Sequence, residues 1–265
     1  MIIHNFDPVL IDFGMVQIRW YSLAYIFGIL FGWWHGRNII RKQIKQNDLK
    51  NYIEHFDDLI TYIIIGIVVG GRLGYVLFYN PDFYYENIWE IFKLWKGGMS
   101  FHGGLLGVIL SIYIYSKLRN LNYKIYFDTV CCVAPIGIFL GRIANFINGE
   151  LYGTPTEKSW GVVFPFIDNM PRHPSQIYEA LLEGIVLFLI LNFMVRKKFL
   201  GNGTISLIFL ILYGIFRIIC EQFREPDEQM GYILGNLTMG STLSIVMIFL
   251  GSFFLLKFFL NEENK

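Results

Sequence analysis

Residues 203–222 read GTISLIFLILYGIFRIICEQ. Only Arg217 interrupts this run before Glu221 closes it, and about 20 mostly apolar residues are what a helix needs to cross the roughly 30 Å hydrocarbon core of a bilayer. The run is expected to span a membrane. Six others of similar character, 17–35, 58–78, 98–116, 127–148, 176–195 and 236–260, are bounded by charge or by turn residues. With 54% hydrophobic and 16% charged residues among 265, and a mean hydropathy of +0.46, the chain has too little polar surface for a soluble core. The composition predicts an all-α polytopic membrane protein with seven transmembrane helices, built as one domain over residues 1–265. A net charge of +1 supplies no basic field for nucleic acid, which is excluded as a partner.

An odd number of spans puts the termini on opposite sides, and the positive-inside bias assigns them. The connections after the first, third and fifth runs, with the C-terminal tail, hold thirteen Lys and Arg; the opposite set holds five, Lys93, Lys96, Lys158, Arg172 and Arg224. The N-terminus is expected outside and the C-terminus in the cytoplasm. Segments 79–97 and 149–175 then face outward. The second, with Trp160, Val162, Val163, Phe164 and four prolines, reads as a small extracytoplasmic loop cap of short extended pieces. Residues 1–16 carry no Lys or Arg ahead of apolar residues and no small-residue cleavage site, so no removable signal peptide is expected. Cys131, Cys132 and Cys220 sit in apolar runs and read as buried filler. His4, His55 and Asp48 are expected at the surface, His35 at the cytoplasmic interface, and His173 in turn and helix-entry chemistry.

An arginine at the centre of a spanning helix costs about 2.5 to 3.5 kcal/mol on insertion scales, so a chain that keeps several has a use for them. Arg72, Arg142 and Arg217 all fall in the outer third of their spans. Tyr21, His102, Glu179, Glu183 and Glu221 fall at the same level, which predicts one wet cavity toward the outer leaflet. Tyr213, Arg217, Glu221 and Arg224 follow at steps of four, four and three and form one stripe; Arg142 and Asn145 share a face; Glu179 and Glu183 are four apart. The competing reading is a structural ion-pair network, which accounts for Arg217 with Glu221 but not for His102 and Asn145 at that depth. Gly70 with Gly74, Gly103 with Gly107 and Gly137 with Gly141 are spaced for close helix packing. No cluster of Cys and His suggests a metal, and no cofactor is expected.

Three stretches occur in an order that resembles a known family: Phe101-His102-Gly103-Gly104-Leu105, Gly141-Arg142-Ile143-Ala144-Asn145-Phe146-Ile147-Asn148-Gly149-Glu150, and His173-Pro174-Ser175-Gln176-Ile177-Tyr178-Glu179. With Arg19-Trp20-Tyr21 near the start and Phe216-Arg217 through Glu221 to Asp227 near the end, the chain resembles the prolipoprotein diacylglyceryl transferases over nearly its whole length. The resemblance implies an enzyme of the bacterial inner membrane that transfers the diacylglyceryl group of phosphatidylglycerol to the lipobox cysteine of a preprolipoprotein signal peptide and releases glycerol 1-phosphate. It also implies that Tyr21, His102, Arg142, Asn145, Glu150, Gly153, Glu179, Arg217 and Glu221 carry binding or catalysis; the same motif adds Asn148, and the polar stripe through Arg217 adds Tyr213.

The residue types suit that chemistry. A cysteine thiol with a pKa of about 8.5 is only a few per cent thiolate at neutral pH and needs a base or a positive field. His102 is the candidate base, with an arginine-paired phosphate or a carboxylate as the alternative acceptor. Arg142 and Arg217 are the candidates for stabilising the departing phosphate, and Glu179 and Glu221 for orienting them. The rival readings are a carrier or flippase for an anionic lipid, against which no two-half repeat is visible, and a serine protease relying on Ser100 beside His102.

Overall fold

The computed structural model describes residues 2–14, 17–197, 200–226, 232–234 and 237–263. The helices among them are α1 (Trp20–Gln43), α2 (Gln46–Phe78), α3 (Pro81–Glu86), α4 (Phe101–Leu118), α5 (Tyr123–Asn148), α6 (Ser175–Glu179), α7 (Leu187–Arg196), α8 (Thr204–Glu221) and α9 (Met239–Glu263). A π-helical stretch, Ala180–Val186, makes α6 and α7 one continuous helix, Ser175–Arg196. Among the described residues six helices are long and apolar enough to cross a membrane: Gln46–Phe78, Phe101–Leu118, Tyr123–Asn148, Ser175–Arg196, Thr204–Glu221 and Met239–Asn261. The protein is a mostly helical, polytopic membrane protein. Helix α1 occupies the first apolar run but is not one of these six, because Tyr21, His35, Arg37 and a basic last turn with Arg41 and Lys42 dilute it. Helix α2 starts at Gln46, so the first basic connection is largely helical.

The described residues form two compact units, one within Met1–Gly36 and Val130–Lys265, the other Arg37–Thr129. In the second, α2 and α4 pack through glycines: a Cβ on Gly74 would lie 2.8 Å from the Cα of Gly103, and one on Gly66 would strike the backbone of Gly107. Two helix backbones in contact exclude lipid and gain dispersion energy along their length. Ser111 Oγ adds a bond across the pair to the Tyr62 carbonyl at 2.9 Å. Between the two helices, α3 is followed by two 3₁₀ turns, Ile88–Phe92 and Leu94–Lys96.

In the first unit α8 lies along α9, with Gly214 against the Ser244 carbonyl and Ile248, while Gly184 in the π-helical stretch meets Phe139 of α5. A short strand β1 (Ile2–Ile3) runs parallel to β4 (Val162–Val163), which is antiparallel to β5 (Pro171–Arg172). Two small hairpins complete the strands, β2 (Val9–Asp12) with β3 (Gln17–Arg19) and β6 (Tyr232–Leu234) with β7 (Leu237–Thr238).

Two histidines depart from expectation. His4 is buried, because pairing of β1 with β4 draws it inward: its Nε2 lies 2.7 Å from the Phe146 carbonyl oxygen, among the rings of Phe6, Phe146, Phe164 and Phe166. His35 bonds Asn192 Oδ1 at 2.7 Å, and Asn192 Nδ2 donates to the Cys132 carbonyl at 3.0 Å, so the pair joins helices instead of reaching an interface. His55 and Asp48 are half-buried and exposed, as surface segments allow. Cys132 and Cys220 are buried and Cys131 half-buried, with no disulfide among the described residues.

Candidate active site

The stripe on α8 finds its partners on the Ser175–Arg196 helix and on α5. Arg217 Nη1 lies 2.5 Å from Glu179 Oε1 and 3.5 Å from Glu183 Oε1, and its Nη2 lies 2.7 Å from Glu221 Oε2. Arg142 approaches the same carboxylates from α5, Nε 3.1 Å from Glu179 Oε2 and Nη2 3.2 Å from Glu183 Oε2. Arg224, just beyond α8, places Nη1 3.5 Å from Glu179 Oε1. Glu179 and Glu183 are 0% exposed, and the Arg142 side chain retains 16%. An unpaired carboxylate at that depth would be prohibitively desolvated; a guanidinium on each side removes most of that penalty. Three guanidiniums face three carboxylates. Glu183 stands in the π-helical stretch, a local unwinding frequent at functional sites.

Glu221 is fixed from its other side, where Thr238 Oγ1 donates to Oε1 at 2.7 Å and Gly240 has no room for a Cβ, which would fall 2.8 Å from that oxygen. Tyr213 is buried one turn before Arg217 and stacks on Phe209. At the end of α5, Asn145 Nδ2 and Asn148 Nδ2 donate to the two oxygens of Glu150 at 3.2 and 3.1 Å. Gln176 Nε2 donates to the Glu150 carbonyl at 2.6 Å, and Ser175 Oγ to that of Leu151 at 2.9 Å, which ties this corner to the start of α6. Gly153 sits where a Cβ would strike the carbonyl oxygens of His173 and Phe223; its own N–H donates to His173 at 3.0 Å, and it bridges to Arg224. Its smallness holds Arg224 against Glu179.

Outside the helices, Arg172 grips Asp168 through Nε and Nη2, at 3.1 and 2.6 Å from Oδ2, and Glu225 through Nη1 at 3.0 Å. The Arg172 hydrogen bonds hold the Asp168 carboxyl below its usual range. Burial, then the nearby Lys158 charge, lowers His173, whose Nδ1 lies 3.1 Å from Tyr178 Oη.

The cluster therefore unites Arg142, Glu179, Arg217 and Glu221, with Tyr213 beside it, while Asn145 and Asn148 follow Arg142 along α5 and Glu150 lies just beyond its end. Tyr21 begins α1, half-buried, its ring 5.3 Å from that of Tyr25. His102 belongs to the Arg37–Thr129 unit, exposed in the first turn of α4. Ser100 caps that helix, its Oγ accepting from the Gly103 N–H at 3.2 Å, which occupies the only serine offered as a nucleophile. Arg72, grouped by level with Arg142 and Arg217, belongs to the Arg37–Thr129 unit and binds the loop that precedes α4: its donors go to main-chain carbonyls of residues 90–98. Glu183 and Arg224 join the cluster without having been singled out as site residues. Both carried a signal, the four-residue step from Glu179 and the continuation of the α8 stripe. Thr238 carried none, since only the return of the chain into α9 brings it to Glu221.

The family model described as prolipoprotein diacylglyceryl transferase matches residues 8–257. The phosphatidylglycerol–prolipoprotein diacylglyceryl transferase of Rickettsia felis is 51% identical over 251 residues, 94% of this chain and 95% of that one. Those of Rickettsia canadensis and Rickettsia typhi are 52% identical over 254 residues and 51% over 259, covering 95% and 96% of this chain and 96% and 97% of theirs.

Proposed function

This chain belongs to the prolipoprotein diacylglyceryl transferase family, and from that premise we propose that its buried arginine–carboxylate cluster is the transferring site. The protein is a transferase that moves the diacylglyceryl group of phosphatidylglycerol to a prolipoprotein, the first step of lipoprotein maturation at the bacterial inner membrane. The acceptor is the lipobox cysteine of the signal peptide. The chain crosses the membrane seven times, α1 included, with its N-terminus outside, its C-terminus in the cytoplasm, residues 149–175 as an extracytoplasmic cap and the site toward the outer leaflet. The thirteen-to-five distribution of Lys and Arg supports that orientation.

A phosphodiester, like a carboxylate, offers two anionic oxygens that a guanidinium grips in parallel, so it exchanges onto a guanidinium that a glutamate already orients. Arg142 is the accessible edge. The thiol gives up its proton, to His102 or to a phosphate oxygen, and the sulfur attacks the glyceryl carbon. The C–S bond forms as the C–O bond to phosphorus breaks, and the electron pair departs on glycerol 1-phosphate. Arg142 and Arg217 meet the charge that grows on this leaving group in a low dielectric. Glu179 and Glu221 hold them in place, and Asn145, Asn148, Glu150, Tyr21 and Tyr213 position the head group. Gly153 keeps the cap strand close enough for Arg224 to complete the cluster.

One observation carries this reading: a fully buried Glu179 bridges Arg142 at 3.1 Å and Arg217 at 2.5 Å from two different helices. The test incubates the purified chain in phosphatidylglycerol vesicles with a lipobox peptide and weighs the peptide. It should gain one diacylglyceryl group, and Arg142→Ala should slow this by about 10²- to 10³-fold. An unmodified peptide, with lipid moved between leaflets instead, would establish the carrier reading; full speed in Arg142→Ala would end the arginine mechanism.

A further inference from the structure

Arg72 is 3% exposed in α2 and uses every donor it owns. A guanidinium has five N–H groups. Here Nε donates to the Ile91 carbonyl at 2.8 Å, Nη1 to Gly97 at 2.5 Å and Gly98 at 3.1 Å, and Nη2 to Glu90 at 2.6 Å and Lys93 at 3.4 Å. The Tyr84 ring covers the guanidinium at 5.1 Å. With five donors on five carbonyls Arg72 has nothing to offer a phosphate, so its cost of burial is spent on one loop.

That loop ends at the start of α4. Gly97 and Gly98 adopt φ of +79° and +78°, a region natural to glycine, and so turn both carbonyls onto the same Nη1. Two residues later the Ser100 N–H donates to the Gly71 carbonyl at 2.8 Å, while Ser100 Oγ accepts from the Gly103 N–H at 3.2 Å. Adjacent residues of α2, Gly71 and Arg72, thus hold residues 97–100, and Gly74 meets Gly103 one turn further on. His102 projects from the turn that these contacts fix.

We propose that Arg72 is a positioning residue for His102: it locks the loop carbonyls that set where the first turn of α4 begins, and thereby where the imidazole stands. The inference rests on the reading that His102 serves the transfer. Two of the five bonds fall on Gly97 and Gly98, which lead into the Ser100 cap, and through them the geometry predicts coupling between Arg72 and His102 that a purely structural role lacks.

The test measures kcat and KM for phosphatidylglycerol in the full chain for Arg72→Gln, Arg72→Lys, His102→Gln and the double variant Arg72→Gln/His102→Gln. Misplacing a reacting group by about 1 Å costs up to 10²-fold. Arg72→Gln should lower kcat by about 10- to 100-fold with KM nearly unchanged, as loss of a transition-state contribution does. Arg72→Lys, with three donors from one point, should fall between. In the double variant the Arg72 change should add little to the loss caused by His102→Gln. Multiplying losses, a rise in KM alone, or full activity in Arg72→Gln would overturn the proposal while leaving the role of His102 intact. Full activity in His102→Gln would instead remove that role, and the proposal with it. Should Arg72→Gln fail to fold, Gly98→Ala gives the same readout, since its methyl would press on Tyr75 at 2.6 Å and on Arg72 Nη1 at 3.0 Å.

Discussion

Arg72 and Arg217 are both less than a tenth exposed in membrane-spanning helices, yet they are neutralised by opposite means. Arg72 is surrounded by carbonyl dipoles, Arg217 by Glu179 and Glu221. Carbonyls of a folded loop cannot leave without unfolding it, so an arginine bound by them is committed to structure. A carboxylate partner is a formal anion, and another anion of similar shape can take its place without disturbing any backbone bond. The contrast separates an arginine held by backbone from one held by exchangeable anions.

The largest effect that tests the contrast is expected from Arg217→Ala. On the proposed mechanism, transfer to the peptide should drop by about 10²- to 10³-fold, because a charge-assisted donor to the leaving phosphate is lost. The same change takes from Glu221 the guanidinium that pairs with it and from Glu179 one of three, and breaking a buried pair costs about 3 to 5 kcal/mol, so the melting temperature in detergent should fall as well. Arg217→Ala paired with Glu221→Ala should recover much of that stability and none of the activity. Activity at the native level in either variant would show that transfer needs nothing from Arg217, and the distinction would vanish.

Much of the cluster was legible because helical spacing is local. The four-residue steps through Tyr213, Arg217 and Glu221, and from Glu179 to Glu183, put these groups on common faces before any packing is known. The resemblance to the family added Glu150 and Gly153, which no periodicity singles out. Arg72 was grouped by its place in the sequence with Arg142 and Arg217, but its bonding partners are decided by the path of residues 79–97, whose carbonyls reach it only in the folded chain. His4 was misread likewise, since two residues of β1 pairing with β4 are too few to announce burial. Helix α1 was anticipated as a span equal to the others, yet its polar residues leave it short of the apolarity of the remaining six.

Thr238 allows a smaller test on the same cluster. Its hydroxyl donates to Glu221 Oε1 at 2.7 Å, opposite the oxygen that faces Arg217. Thr238→Val keeps the shape and deletes the donor, and a hydrogen bond to a charged group is worth about 1.5 to 3 kcal/mol. If Glu221 orients Arg217, kcat should fall by about 3- to 10-fold, since only part of that energy is expressed in the rate. An unchanged kcat with reduced thermal stability would assign Glu221 to structure alone.

A third arginine sharpens the comparison by pH, with the smallest effect. Arg172 holds Asp168 and Glu225 outside the spans, so this carboxylate pairing can be titrated where carbonyls cannot. Asp168 has its folded pKa lowered below 3.8, chiefly by the Arg172 hydrogen bonds; the stability it contributes is complete above 3.8 and is lost as pH falls through that value toward the folded one. His173 is lowered from 6.5, first by burial; it resists protonation in the fold, so acid below 6.5 favours opening there too. Amide exchange at Gly153, Thr154 and His173, corrected for intrinsic rate, should therefore begin to rise below about pH 6.5 and rise further below about pH 4. The amides of Gly97 and Ser100, beside Arg72, should respond less. Acid does reach that loop through Glu90, which accepts from Lys93 and Lys96 and is held low by them. In a Glu90→Gln background the response at Gly97 should disappear, because what remains around Arg72, backbone carbonyls and the Tyr84 ring, has no proton to gain in acid. An acid response at Gly97 that survives Glu90→Gln would mean that the carbonyl cage is not what holds the loop.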